Sequence, residues 1–174
     1  MNGTLEERLA RLEALEAIHA LKARYARLAD EKYTSAHERV PEPAWSETAG
    51  AQAACFSADA SWIGGTQFGG TIQGRTALGE WFTRSPWCFA MHYYVSPQLT
   101  LTAPDAAEGR WRLWQVGLPF DGTPPVLLAA TTWETYRCID GTWLIASMRF
   151  EEIQRLALTS MPAVLQCTLP RATA

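Results

Sequence analysis

A change of hydrophobic period constrains this chain more than any other feature. Over residues 4–33, Leu5, Leu9, Leu12, Leu15, Ile18, Leu21, Tyr25 and Leu28 recur every three or four positions, the spacing of an amphipathic helix. Thr4 followed by Glu7 has the form of a capping box, and no glycine or proline interrupts Leu5 to Val40. From residue 88 onward the period falls to two. HYYVSPQLTLT, GRWRLWQVGL, VLLAATTWETYR and TWLIASMRF are four strands in prospect, and Asp140–Gly141 between the last two is a strong hairpin signal. Between these regions the spacing predicts a loop over 34–50, a short helix in AQAACF, a glycine-marked hairpin over about 60–73 and a second short helix in RTALGEWFTR. Ser57 and Ser61 read as turn residues. The tail from Glu151 reads as partly helical.

Helices first and antiparallel strands after them argue for an α+β domain. The expected architecture is a cone-shaped α+β barrel: a strongly curved, mostly antiparallel sheet packed on a long N-terminal helix and shorter helices. A helix laid on the concave side of a bent sheet leaves one end open, a natural place for an apolar pocket. The barrel domain is expected over 1–150. Residues 151–174 are expected to form a C-terminal tail serving as a lid or subunit contact, with Arg149 as a further contact of that kind.

Composition narrows the function. With 174 residues, 15 basic and 18 acidic, and no basic block, the chain is not suited to a nucleic-acid backbone. No apolar run approaches the roughly 18 residues of a membrane span, and MNGTLEERLARLEALE lacks the core of a secretion signal, so a cytoplasmic location is expected. Cysteines 55, 88, 138 and 167 are too scattered for a metal or redox pair and read as small buried side chains. Eight tryptophans suggest a core or cavity built from flat surfaces. There is no glycine-rich phosphate loop, no metal-spaced cluster and no nucleophile elbow.

Three residues could carry chemistry. His92 opens a strand and shares a face with Tyr94, so it is either a satisfied core histidine or a general base near neutrality. Asp30 lies at the end of the long helix, where the helix dipole disfavours a carboxylate. It is either a surface residue near Lys32 or Arg27, or a partner that orients His92. Tyr25 belongs to the apolar stripe and is either core or a hydrogen-bond donor to a substrate oxygen. Gln115, in the alternation Trp111, Leu113, Gln115, places an amide on an otherwise apolar face.

In IHALKARYARLADEKY, CFSADASW, GRTALGEWF, MHYYVSPQLTL, GRWRLW and TYRCIDGTWLI, in that order, the chain resembles the SnoaL-like branch of the nuclear-transport-factor-2-like superfamily over roughly 5–155. Within it the chain is most similar to the bile-acid 7α-dehydratases, and more distantly to the scytalone dehydratases and hexachlorocyclohexane dehydrochlorinases. The tyrosine and aspartate five apart on the first helix match Tyr25 and Asp30. The histidine after a methionine matches His92. The acidic residue that the bile-acid enzymes carry after GRW is replaced by Gln115, which cannot transfer a proton.

The resemblance implies a cofactor-independent lyase, dehydratase-like, with His92, Asp30 and Tyr25 as catalytic residues. It acts on a hydrophobic cyclic or aromatic small molecule held by Gln115, Tyr94, Trp111, Trp62 and Phe56, with no metal. It also implies a homo-oligomer, dimer or trimer, with which exposed Trp114 and Trp133 are compatible. The alternatives are an isomerase or carbon–carbon lyase using the same pocket, or a non-catalytic small-molecule-binding domain.

Overall fold

The computed structural model describes residues 3–65 and 69–158. Helix α1, Leu5–Asp30, opens on the expected capping box: the Thr4 hydroxyl accepts from the Glu7 amide and the Glu7 carboxylate from the Thr4 amide. Two turns of the predicted stripe, Leu5, Leu9 and Leu12, remain exposed. The buried face begins at Ile18 and continues through Leu21, Lys22, Tyr25, Leu28 and Ala29. The helix ends at Asp30 and not at residue 33. Tyr33 instead forms an isolated antiparallel bridge with Arg39.

Helix α2, Ala44–Ala53, begins well before the predicted AQAACF helix. Pro43 precedes its first turn, and Trp45, Ala49, Gln52 and Ala53 bury one face. That spacing runs through a stretch that the prolines made look like loop. Helix α3 is Arg75–Thr83 and buries Leu78 and Phe82.

Six strands follow the order β2-β1-β6-β5-β4-β3. They are β1 Phe56–Gly65, β2 Gly70–Gln73, β3 Trp87–Ala103, β4 Ala106–Pro119, β5 Val126–Ile139 and β6 Thr142–Ala157. All neighbours are antiparallel except β1 and β6, which run parallel. The sheet is open, so the architecture is the expected α+β cone without barrel closure. Bulges in β3 and β5 break the register and bend the strands. The Asp140–Gly141 turn takes φ of 50° and 75°, as a two-residue hairpin loop requires.

Several local expectations need correction. His92 lies well inside β3 and does not open it. Ser57 and Ser61 are strand residues of β1. Residues 151–157 continue β6 as strand and are not helical, because they pair with the start of β5, Leu128 opposite Arg155 and Leu127 opposite Leu156. The strand therefore runs straight through the expected domain boundary at 150. The remainder of the proposed lid, 159–174, lies outside the described residues. Of the cysteines, Cys55 is fully buried and Cys88 and Cys138 are half-buried, all as free thiols.

The inner sheet face presents Ala107, Trp111, Leu113 and Gln115 from β4 and Val126, Leu128, Thr132, Glu134 and Tyr136 from β5. Helix α1 closes over it, with α2 and α3 beside its C-terminal half.

Candidate active site

Where α1 ends against β3, two distant segments of the chain meet. One Asp30 carboxylate oxygen accepts from the backbone N–H of His92 at 3.0 Å and lies 2.7 Å from its ring Nδ1. These two donors offset the unfavourable position of a carboxylate at a helix C-terminus. With Nδ1 engaged as donor, Nε2 is the nitrogen left to accept a proton. His92 lines a cavity of about 90 Å³, narrower than the roughly 300–1,000 Å³ of most small-molecule pockets.

Three helices and four of the six strands contribute to the wall. Helix α1 gives Tyr25 and Ala29, the turn after it Lys32 and Tyr33, and α2 gives Gln52. Trp62 comes from β1, Trp81 and Phe82 from α3, His92 and Tyr94 from β3, Leu113 and Gln115 from β4, and Phe150 from β6. The segment Ser85–Trp87 completes it. The Arg39 side chain holds that segment by donating to the Trp87 carbonyl at 3.2 Å and to the Ser85 carbonyl. Tyr33 and Ser85 share a hydroxyl hydrogen bond of 2.9 Å. Gly117 matters here, since a side chain on it would collide with the Trp87 ring, whose nearest carbon lies 2.8 Å from the Cβ position.

Alternation on the sheet explains the polar pair on this wall. His92 is directly opposite Gln115 across the β3–β4 ladder, and Tyr94 opposite Leu113. The base and the amide therefore stand side by side on one face. Tyr25 is buried with its ring edge-on to Phe56, Phe82 and Tyr94. Burial first, and then the Glu134 charge, push its phenol well above the ordinary value, with hydrogen bonding from Tyr94 and Gln52 opposing. Tyr25 is thus a proton-bearing donor, not a base. Tyr94 is driven up as well, again chiefly by burial.

Of the eight residues read from the sequence, Tyr25, Tyr94, Trp62, Gln115 and His92 line the cavity. Asp30 supports His92 without lining it. Two do not line it. Phe56 is fully buried behind Tyr25 and Trp62 and packs against both rings. Trp111 precedes Leu113 on the same face of β4 but lies outside the cavity wall, where its indole N–H donates to the Tyr136 hydroxyl at 2.8 Å and its ring meets His19 edge-on.

The residues that sequence reasoning passed over are charged and buried. Lys22 Nζ lies 2.5 Å from Glu134 Oε1, with the two side chains 1% and 0% exposed. Glu134 also accepts from the Thr132 hydroxyl at 2.6 Å and from Tyr136. The Lys22 ammonium sits 3.6 Å from the centre of the Tyr94 ring. Desolvation pulls its pKa down and Glu134 pulls it back. The signal was present: Lys22 stands four residues after Ile18 and three before Tyr25, on the apolar stripe, and Glu134 alternates with Thr132 and Tyr136. Lys32 is the second such cation. Desolvation and the nearby Arg39 lower its pKa to about 8, with Asp30 opposing. Among the described residues no three His, Cys, Asp or Glu side chains converge as a metal site would. None of the described helices is long and apolar enough to cross a membrane.

Comparison with known proteins bears on the fold. The structure of LinA is similar over 88% of this chain and 95% of that one, at 19% identity and a TM-score of 0.74. A scytalone dehydratase-like protein of Novosphingobium aromaticivorans is similar over 95% and 97%, at 14% identity and 0.70. The hexachlorocyclohexane dehydrochlorinase LinA-type3 of Novosphingobium barchaimii is similar over 94% and 99%, at 20% identity and 0.69. At such identities the likeness is one of fold. No curated protein matches the chain. The family model for the SnoaL-like domain matches residues 45–149, and by that match, together with the α+β cone, this chain belongs to the SnoaL-like, nuclear-transport-factor-2-like family.

Proposed function

We propose that the protein is a cofactor-independent lyase that eliminates a small leaving group, as a dehydratase does, from a hydrophobic cyclic or aromatic molecule. The observation that carries this reading is the Asp30–His92 pair at the wall of an aromatic cavity. Nε2 of His92 takes a proton from carbon. Asp30 keeps the other nitrogen protonated and stabilises the imidazolium that forms. Tyr25 donates to the leaving or carbonyl oxygen. In a dehydration the C–H electron pair becomes the new double bond, the hydroxyl departs with the bonding pair, and the proton returns to it as water. Trp62, Trp81 and Trp87 exclude solvent and strengthen these electrostatics.

The likeness to LinA and to a scytalone dehydratase-like protein supports elimination. Gln115 beside His92 keeps a second reading open, since no carboxylic acid stands there to help a leaving group: an isomerase or carbon–carbon lyase would use the same base. A ligand-binding domain without catalysis is the reading from another class. The protein is read as a homo-oligomer, dimer or trimer, joined through the outer sheet face, where Tyr93, Trp114 and Trp133 are 51%, 46% and 43% exposed.

The test is a screen of hydroxylated and halogenated ring compounds by mass spectrometry, repeated with His92→Ala. Loss of water or halide by the wild type, falling about 10²–10⁴-fold in a folded His92→Ala protein, is the expected result. Undiminished turnover in that variant would overturn the assignment. Conserved mass would select the isomerase, and two fragments the carbon–carbon lyase.

A further inference from the structure

The cavity wall carries two polar groups that the base chemistry does not use. Lys32 is 5% exposed and lines the cavity. Its one hydrogen bond among the described residues is a long one, 3.4 Å to the carbonyl of Phe82. No carboxylate lies within ion-pair distance of it among the described residues. Its ammonium rests instead 5.4 Å and 5.5 Å from the ring centres of Trp45 and Phe82. An ammonium has three donors, so this one keeps hydrogens that a guest can use. Gln52 is the second group. It is 3% exposed, lines the same cavity, and its side-chain carbonyl oxygen has no hydrogen-bond partner. A buried acceptor without a donor costs stability unless a ligand supplies one.

We infer that the guest is a ring compound bearing a carbonyl or phenolic oxygen, received by the Lys32 ammonium, and a hydroxyl whose proton Gln52 accepts. This rests on the reading of the cavity as the site of a ring-compound lyase and names the class of compound it takes. Lys32 then binds the oxygen on which charge develops. When His92 removes a proton from the carbon beside a carbonyl, the C–H electron pair moves onto the carbonyl oxygen. The proton stays on His92 and the ammonium keeps its own. Return of the pair expels the neighbouring hydroxyl, which leaves as water with the His92 proton. A cation fixed where this oxygen sits stabilises the enolate more than the ketone, which is what accelerates such a step.

The experiment uses 4-nitrophenol, whose phenolate band reports its ionisation, and nitrobenzene, which has the ring without the hydroxyl. Binding is followed by quenching of tryptophan fluorescence. All measurements are repeated in His92→Gln, so that the histidine cannot serve as the proton acceptor. Bound 4-nitrophenol is expected to ionise at a pH at least one unit below that of the free dye, in both backgrounds. Lys32→Met should abolish this shift and weaken phenolate binding tenfold or more, leave nitrobenzene binding unchanged, and be partly restored by Lys32→Arg. Bound dye that ionises at the same or higher pH than free dye overturns the inference, and that comparison needs no lysine variant to fold. A wild-type protein that fails to bind the dye, or a folded Lys32→Met protein that keeps the shift, overturns it too. Failure of the base assignment reads out elsewhere, as undiminished turnover in His92→Ala, and leaves the dye shift intact.

Discussion

The Asp30 carboxylate oxygen that meets Nδ1 of His92 also holds the backbone N–H of the same residue. An asparagine there can keep the backbone bond but not the charge, and its amide can present a donor to the ring and select the wrong tautomer. Asp30→Asn should lower kcat at least about 10²-fold with little change in KM or thermal midpoint, as steady-state kinetics and calorimetry would show. Tyr25→Phe keeps the edge-on packing against Phe56, Phe82 and Tyr94 and loses the hydroxyl, with its hydrogen bonds to Tyr94 and Gln52. Its kcat should fall about 10²–10³-fold while near-ultraviolet circular dichroism stays native. For Lys32 the readout is stability against pH. Below about pH 8 it is charged in both the folded and the unfolded chain, and burying that charge weighs against the fold. Between about 8 and the ordinary 10.5 the folded protein has released the proton and the unfolded chain still holds it, so this residue's contribution to stability rises with pH. Lys32→Met should therefore be more stable than wild type at pH 7, and the difference should shrink by pH 10 in urea titrations.

At the scale of elements, the join between α1 and the sheet depends on a buried ion pair. Lys22 comes from the helix and Glu134 from β5, with Thr132 and Tyr136 satisfying the remaining lone pairs of the carboxylate. Breaking such a pair from one side strands the other charge, which costs about 3–5 kcal/mol, whereas replacing both partners costs much less. Lys22→Met should lose about that much in urea unfolding, and Lys22→Met with Glu134→Gln should recover most of it. This pair also marks where sequence reading stopped. The apolar stripe from Ile18 to Leu28 and the alternation of β4 and β5 were legible because burial of apolar groups repeats with the period of the element. A single lysine on that stripe carries no period. Its neutralising partner lies 112 residues away, so only the tertiary pairing shows it as core. Helix α2 was hidden for a different reason: its prolines sit ahead of the first turn, where they are tolerated. Phe56 and Trp111 were legible as buried but not as backing layers, because alternation assigns a face and not a depth along the strand.

For the molecule as a whole, the outer sheet face is the feature with a measurable consequence. Tyr93 and Trp114 are directly cross-strand neighbours, and Trp133 stands on β5 beneath the Arg110 guanidinium. In the proposed homo-oligomer, replacing both tryptophans, Trp114→Glu with Trp133→Glu, should shift sedimentation to that of the 19.3 kDa single chain and leave the cavity intact; a wild type that already sediments as a single chain would overturn that assembly.

The parallel pairing of β1 with β6 has a consequence for the order of assembly. β6 stands between β2-β1 and β5-β4-β3, so without it the sheet is two separate pieces. Trp62 would belong to one piece and His92, Tyr94 and Gln115 to the other. Phe150, whose ring meets Trp62 at 4.8 Å, is itself part of the missing strand. Contacts spanning so much of the chain are among the slowest to form. During synthesis the strand bearing the histidine therefore leaves the ribosome long before the strand that joins it to the tryptophan, and the growing polypeptide has no finished chamber to fill until β6 has emerged.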